Sequence, residues 1–277
     1  MARKTYFYAL SLYLFGMLLT LCSTSEANQE KYFSKQLAEG VTVGEAVNLA
    51  SRDKEFLAIY TKANEKNSRG GIILLHDLGT HADWPDIIAP LRCEFPSKAW
   101  NTLSLQLPIL PDSALPKDMD QVFTEIVVRI NSAINFYVEK GIYNLVLIGH
   151  GFGAVAGIRY LENKANRRKE IIAFVGISMY NQVYPINLQK EQSPPAHPSI
   201  SLNIPVLDIY GSLDFEKVVE SAKQRALAAK KSAATNFSQV ELTGADHYFT
   251  GLSNTLIKRI GNWLNHQAPS MSLKLKK

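Results

Sequence analysis

Histidine and aspartate residues stand directly after several short apolar runs in this 277-residue chain. His76 and Asp77 follow the run at residues 71–75, and Asp214 and His247 stand at the ends of two later polar turns. An imidazole takes a proton from a hydroxyl or a water, and a neighbouring carboxylate fixes its tautomer and stabilises its charged form. If the fold brings such residues together, they can perform acid–base chemistry at one site.

The apolar runs predict the strands that position these residues. They lie at residues 71–75, 101–107, 144–148, 171–177 and 205–210. Short, nearly continuous apolar runs are typical of strands that helices cover on both faces of a parallel sheet. Amphipathic helical patterns alternate with them, at residues 120–139, 152–163, 216–234 and 248–266. The alternation predicts an α/β fold with a mostly parallel, doubly wound sheet and a site at the carboxyl ends of its strands.

The segment GHGFG at residues 149–153 lies where the third run gives way to a helical pattern. It resembles the nucleophile elbow G-x-S-x-G of the α/β-hydrolase superfamily, with Gly151 at the position of the serine. The order of elbow, acid and histidine along the chain is also that of this superfamily. The resemblance covers residues 70–266 and implies that Asp214 is the triad acid and His247 the triad histidine.

A closer resemblance is carried by four segments together. They are HDLGTHADWP at residues 76–85, LSLQLP at 103–108, GHGFGA at 149–154 and PVLDIYG at 205–211. This combination is similar to an uncharacterised bacterial family of exported α/β-hydrolase-like proteins with glycine in place of the elbow serine. The first segment resembles the H-G-x-G loop that supplies an oxyanion-hole amide, which assigns His76, Asp77 and Leu78 to that loop. The resemblance implies that Phe152, the residue after the elbow position, supplies the other amide.

The absent serine limits the chemistry that this chain can perform. Losing that hydroxyl alone costs on the order of a millionfold in rate, so Asp214 and His247 cannot sustain a serine mechanism. Gly151 also fits a strained elbow, because glycine adopts φ > 0 freely. Asp77 replaces a second glycine of the pattern, and a carboxylate there opposes developing negative charge unless it faces away or is protonated. An alternative role for Asp77 is to cap a turn or a helix near Trp84.

Other polar residues near the predicted strand ends have alternative roles. Asp208 lies inside an apolar run, so it is an alternative acid for His247 or it faces a polar edge of the sheet. Ser178 and Ser212 are alternative, displaced nucleophiles. His150 beside the elbow position is expected to serve packing.

The loop after the first parallel strand carries four residues of types that bind metal ions. His76, Asp77, His81 and Asp83 lie there, but their spacing matches no standard zinc pattern. The sequence therefore predicts no metal and no cofactor.

The N-terminus predicts export from the cytoplasm. Two basic residues precede an apolar run at residues 6–21, and small residues follow it at the positions that a signal peptidase requires. We expect residues 1–27 to be a signal peptide cleaved after Ala27, which makes the protein periplasmic or secreted. The alternatives are an inner-membrane anchor formed by residues 6–22 and a lipoprotein attached at Cys22.

The remainder of the chain predicts one domain. Residues 41–50 and 55–62 predict an antiparallel hairpin ahead of the parallel sheet. Residues 181–202 are rich in proline and polar side chains and too few to form a helical lid, so we interpret them as a loop. We expect residues 28–266 to form a single α/β-hydrolase-like domain and residues 267–277 to form a flexible basic tail.

The composition restricts the partners of the protein. Its net charge is +5, but the basic residues are dispersed and no basic helix carries interleaved aromatic side chains, so nucleic acid is excluded as a partner. After cleavage Cys93 is the one remaining cysteine, so no disulfide supports the fold. Contact with a membrane through the N-terminus or the basic tail stays open.

Three functions follow from these observations. The absent serine favours a non-catalytic protein that binds a small ligand or scaffolds another protein of the bacterial envelope. The alternative is a slow hydrolase of esters or lactones. In that case His247, paired with Asp214 or Asp208, activates a water in the space left by the absent hydroxymethyl group. The third is a membrane-tethered partner protein.

Overall fold

A computed structural model describes residues 30–52, 54–110, 118–163, 168–180 and 202–267. The predicted signal peptide, the loop at 181–201 and the tail from residue 268 lie outside these residues. Within the described part, no helix has both the length and the apolar character needed to cross a membrane.

Eight strands of the described chain form one sheet. They are β1 (Glu45–Ser51), β2 (Lys54–Thr61), β3 (Gly70–Leu75), β4 (Trp100–Leu105), β5 (Leu145–His150), β6 (Ile171–Ile177), β7 (Val206–Gly211) and β8 (Phe237–Leu242). Their order is β1-β2-β4-β3-β5-β6-β7-β8. β2 is antiparallel to β1 and β4, and the other neighbours are parallel. This topology confirms the predicted α/β fold with its N-terminal hairpin.

Helices cover both faces of the sheet. They are α1 (residues 30–40), α2 (Ile88–Glu94), α3 (Asp118–Glu139), α4 (Phe152–Glu162), α5 (Glu216–Ser232) and α6 (Ser253–Gln267). Alternate residues of β3 join two separate cores: Ile73 packs with α3 and α4, whereas Ile72 packs with α2 and α6. This alternation follows from the two-residue period of a strand and explains why β3 and β6, which are covered on both faces, carry no polar side chain.

The strand order decides which loops meet. β3 lies between β4 and β5, so the chain leaves the centre of the sheet in opposite directions. The loop after β3 and the turn after β5 therefore lie side by side at the carboxyl edge, which is where open α/β sheets bind ligands. The register pairs Leu75 with Gly149, and Asp77 and Gly151 each lie two residues beyond that pair, so the two residues are close to each other.

Candidate active site

A sharp turn joins β5 to α4 at Gly151. This residue has φ 50° and ψ −113°, and Phe152 begins the helix immediately after it. The Gly151 amide donates a hydrogen bond to the Ile177 carbonyl at 2.9 Å, which fixes the turn against β6. Gly153 lets the start of α4 approach β3, because a Cβ at that position would overlap the carbonyl of Leu75. The geometry is that of a strand–turn–helix elbow with positive φ at its tip.

The carboxylate of Asp77 fills the place of the missing elbow side chain. A Cβ built on Gly151 would overlap Cγ and both carboxylate oxygens of Asp77. Asp77 therefore faces the elbow. It does not cap a helix near Trp84, and α2 begins only at Ile88. This carboxylate therefore occupies the space beside Gly151 in which the slow-hydrolase alternative placed a water molecule.

One oxygen of Asp77 sits between the two amides that the sequence assigned to the oxyanion hole. Oδ1 accepts hydrogen bonds from the Phe152 amide at 2.6 Å and from the Leu78 amide at 2.8 Å. Burial would raise the pKa of Asp77, which is 6% exposed, but the His247 hydrogen bond, the His150 ring and the Phe152 amide outweigh it. The pKa is consequently lowered, and the carboxylate is ionised at neutral pH.

His247 links Asp77 to Asp214. Its Nδ1 lies 2.7 Å from Oδ1 of Asp214, and its Nε2 lies 2.9 Å from Oδ2 of Asp77. Burial opposes the charged imidazolium, yet the hydrogen bonds and charges of the two carboxylates prevail and raise its pKa to about 9. At neutral pH the ring is therefore protonated, and each nitrogen donates to one carboxylate. The site is a buried carboxylate–imidazolium–carboxylate chain.

The two candidate serines support the site without lying at the elbow. The Ser178 hydroxyl donates to Oδ2 of Asp214, while the Phe215 amide donates to Oδ1 at 2.7 Å. The Ser212 hydroxyl accepts a hydrogen bond from the Gly244 amide at 2.8 Å and so joins two turns. Ser178 is therefore a positioning residue for the acid, and the structure brings neither serine to the place of a nucleophile.

Asp208 is not the acid that pairs with His247. Its two oxygens accept hydrogen bonds from Arg225 at 2.8 and 2.9 Å, and Gln239 donates to one of them at 2.6 Å. Asp208 and Arg225 are both completely buried. A carboxylate in an apolar strand requires a partner, and here the partner is a guanidinium on α5.

The Asp208 ion pair leads to a stability prediction. Asp208→Asn leaves the Arg225 charge buried and uncompensated, so we expect the free energy of unfolding to fall by about 3–5 kcal/mol. Urea unfolding of the variant is compared with that of Glu220→Gln, which changes an exposed carboxylate on α5, the helix that carries Arg225. The control should change by less than about 0.5 kcal/mol. Equal stabilities would show that the pair does not support the fold.

His76 shapes the loop that carries Asp77. Its Nδ1 donates to the Asp77 carbonyl at 2.7 Å, and its Nε2 accepts from the Leu107 amide at 2.9 Å. Burial is the main cause that lowers the pKa of His76 to about 4, so the ring is neutral. His76 thus fixes the backbone of the loop and does not enter the site itself.

The four loop residues of metal-binding types do not converge on one site. The ring of His81 packs against Trp84, and Asp83 forms an ion pair with Arg92 at 2.6 Å. A different buried trio could hold a metal ion, because Asp77, His150 and His247 each offer one ligand atom and these atoms lie within 4.8 Å of one another. Sequence reasoning did not group this trio.

His150 belongs to the site as well as to the core. Its Nε2 donates to the His247 carbonyl at 3.0 Å, while its buried Nδ1 has no hydrogen-bond partner among the described residues. Burial dominates and lowers the pKa of His150 to about 4, so the ring is neutral. In the sequence, only the position of His150 next to Gly151 indicated that it could contact His247.

Aromatic side chains that the sequence did not indicate surround the imidazole of His247. Phe215 stacks on it with ring centroids 4.4 Å apart, Tyr248 meets it edge-on at 5.0 Å, and Tyr180 lies at 5.8 Å. Phe215 is 53% exposed and the neighbouring Leu213 is 69% exposed. Burial raises the pKa of Tyr180 well above its usual value, so its phenol stays protonated. The imidazole of His247 is thus buried, while two apolar side chains beside it, Phe215 and Leu213, are exposed.

The histidine pKa values predict a stability maximum near pH 6–7. His247 has a folded pKa of about 9, above the unfolded value of about 6.5, so its contribution is complete below pH 6.5 and is lost as pH rises through 9. His76 and His150 have pKa values of about 4, so their contributions are lost as pH falls from about 6.5 to 4.

Urea unfolding across pH 4–10 measures both limbs of this profile. His247→Gln should flatten the alkaline limb, while His266→Gln, an exposed histidine at the end of α6, should leave it unchanged. An alkaline limb that persists in the His247 variant would contradict the assignment.

Solved structures with the same architecture confirm the α/β-hydrolase fold. A serine hydrolase homologue from Coxiella burnetii has 14% identity and a TM-score of 0.59, covering 81% of this chain and 99% of its own. A dienelactone hydrolase from Anabaena variabilis has 14% identity and a TM-score of 0.62, covering 80% and 97%. An esterase from Pyrococcus furiosus has 19% identity and a TM-score of 0.60, covering 81% and 91%. At these identities the likeness establishes the fold alone.

Sequence comparison assigns the family. No curated protein matches the chain in sequence. Residues 21–125 and 117–266 match one family, and together they span most of the chain. The chain therefore belongs to the family described as protein of unknown function DUF3530.

Proposed function

We propose that this protein is an exported bacterial hydrolase in which Asp77 takes the place of the elbow serine. The observation that carries the proposal is the position of the Asp77 carboxylate. It occupies the volume of the missing side chain and contacts both the oxyanion-hole amides and His247. Export is proposed from the N-terminal sequence, which places the activity in the periplasm or outside the cell.

The remaining parts of a hydrolytic site support this proposal. Asp214 orients His247, Ser178 and the Phe215 amide hold Asp214, and two backbone amides converge on one oxygen. These groups are arranged as in a triad, but the group that faces the imidazole is a carboxylate. A carboxylate serves as a nucleophile in several classes of hydrolytic enzyme, so the exchange does not by itself end catalysis.

Turnover by the purified protein tests the proposal. We expect activity on a panel of activated esters, lactones, epoxides and alkyl halides to include at least one substrate, and to be lost in His247→Gln. Asp120→Asn, an exposed carboxylate at the start of α3, should retain it. The wild type should not react with a serine-directed fluorophosphonate. Labelling of any serine by that probe, or turnover that survives His247→Gln, would contradict the proposal.

A non-catalytic binding or scaffolding protein of the envelope is the second candidate. This candidate is favoured because Asp77 and His247 are hydrogen-bonded to each other and are therefore not directed at a substrate. The exposed Leu213 and Phe215 would then contact a small ligand or an envelope protein. A purified protein that turns over no member of the panel, but folds as stably as expected, supports this candidate.

A further inference from the structure

We propose that Asp77, His150 and His247 together bind one divalent transition-metal ion of the zinc type. All three residues are buried, and each offers one ligand atom that lies within 4.8 Å of the other two. Two imidazole nitrogens and one carboxylate oxygen are a ligand set that suits Zn²⁺, whereas Mg²⁺ and Ca²⁺ prefer oxygen ligands. The trio therefore selects a transition metal over the alkaline-earth ions.

His150 carries the most direct indication of a ligand. Its side chain is 1% exposed, and its Nδ1 is buried with no hydrogen-bond partner among the described residues. Because its Nε2 donates to the His247 carbonyl at 3.0 Å and the ring is neutral, Nδ1 carries a lone pair. A buried acceptor without a donor is costly to the folded protein. A metal ion bonds to such a lone pair and removes that cost.

Each of the three side chains is also held at its other polar atom. His247 donates from Nδ1 to Asp214 at 2.7 Å, and His150 donates from Nε2 to a backbone carbonyl. Oδ1 of Asp77 accepts hydrogen bonds from two backbone amides, at 2.6 and 2.8 Å. Hydrogen bonds of this kind orient the metal-binding side chains of proteins. The atoms that remain, Oδ2 of Asp77, Nε2 of His247 and Nδ1 of His150, are the ligand atoms that we assign.

The ion takes the place of the proton between Asp77 and His247. Their ligand atoms are 2.9 Å apart, and the ligands of a tetrahedral zinc ion lie roughly 3.3 Å from one another. This pair therefore opens by a few tenths of an ångström, and His150 closes by at most about 1.5 Å. The Nε2 proton leaves to solvent, since a coordinating imidazole uses that lone pair. The divalent charge then balances the carboxylates of both Asp77 and Asp214, of which the imidazolium balances only one.

The bound ion and the proposed hydrolysis compete for the same two atoms. Oδ2 of Asp77 and Nε2 of His247 face each other, and both are ligands of the ion. Metal binding needs no substrate pocket, only an approach to the imidazole. Phe215, which stacks on that ring and is 53% exposed, lies on the approach. Metal binding is measured without a substrate, so its outcome does not depend on the proposed function.

Calorimetric titration of the purified, chelator-treated protein with Zn²⁺ tests the inference. We expect one equivalent to bind with a Kd below about 10 μM, and Mg²⁺ not to bind in that range. His150→Gln should weaken binding by at least about a hundredfold because it removes a ligand, and Asp214→Asn by about ten- to a hundredfold because it removes only the partner of a ligand. His266→Gln, which changes an exposed histidine at the end of α6, should bind as the wild type does.

The ring nitrogens of the histidines identify the ligands independently of affinity. On addition of one equivalent of Zn²⁺, the nitrogen NMR signals of Nδ1 in His150 and Nε2 in His247 should shift, whereas those of His266 should not. A Kd weaker than about 10 μM, or an affinity that His150→Gln leaves within about threefold of the wild type, would overturn the inference. If circular dichroism shows that His150→Gln does not fold, the nitrogen signals of the wild type decide between the two outcomes.

Discussion

Asp77→Asn is expected to reduce turnover by on the order of a millionfold, because the variant removes the nucleophile but keeps the size of the side chain. An amide is a poor nucleophile. Its NH₂ group would also face either His247 or the two amides of Phe152 and Leu78, and those positions now require an acceptor. Steady-state turnover of any accepted substrate, with Asp120→Asn as the matched control, measures the loss.

The same variant gives a readout that does not depend on activity. Two carboxylates raise the pKa of His247 to about 9, so the loss of the Asp77 charge should lower it. NMR titration of the imidazole protons would detect that shift. A variant that keeps turnover within tenfold of the wild type would exclude Asp77 as the nucleophile, whatever the pKa of His247.

Much of the fold was predictable because its signals are local. The strands from β3 to β7 are rich in apolar residues, and the helical period of α3 is clear, so the sequence predicts the alternation of strands and helices. β8 was not among the predicted strands. It is an edge strand with polar Ser238, Gln239 and Glu241, and an edge strand lacks the continuous apolar pattern of the centre.

The site was predictable in its parts and not in its arrangement. Asp214, His247 and the elbow stand at fixed places along the chain, so the sequence resemblance could name them. Asp208 was ambiguous because its partner, Arg225, lies on a helix whose packing no local pattern specifies. The aromatic residues around His247 were not predictable from the sequence. Phe215, for example, lies in a loop, and only the folded structure shows that it stacks on His247.

Asp77 and Gly151 are two departures from the superfamily pattern that are related to each other. The sequence has a glycine where the superfamily carries a side chain, and a side chain where its oxyanion loop carries glycine. Taken separately, both departures suggest a loss of chemistry. Taken as a pair, they move one reactive side chain from the elbow to the facing loop and conserve the volume of the site. The structure makes this exchange visible, since the Asp77 carboxylate lies where a Cβ on Gly151 would be.

The exchange predicts that serine chemistry returns only when both positions are reversed. Gly151→Ser alone should fail, because its Cβ would overlap the Asp77 carboxylate and because φ of 50° strains a non-glycine residue by about 1–3 kcal/mol. Asp77→Gly with Gly151→Ser removes the overlap and frees the Phe152 and Leu78 amides. A serine hydroxyl can then face His247, already oriented by Asp214.

We therefore expect the double variant to react with a serine-directed fluorophosphonate and to hydrolyse p-nitrophenyl butyrate at least about a hundredfold faster than either single variant, the scale of one acid–base contribution. Adding His247→Ala should abolish both reactions, which separates triad chemistry from chance labelling. If Gly151→Ser alone labels as well as the double variant, Asp77 does not occupy the serine position in solution. That result would contradict the exchange, because it would mean that the site has room for a serine at position 151 and for the Asp77 carboxylate at the same time.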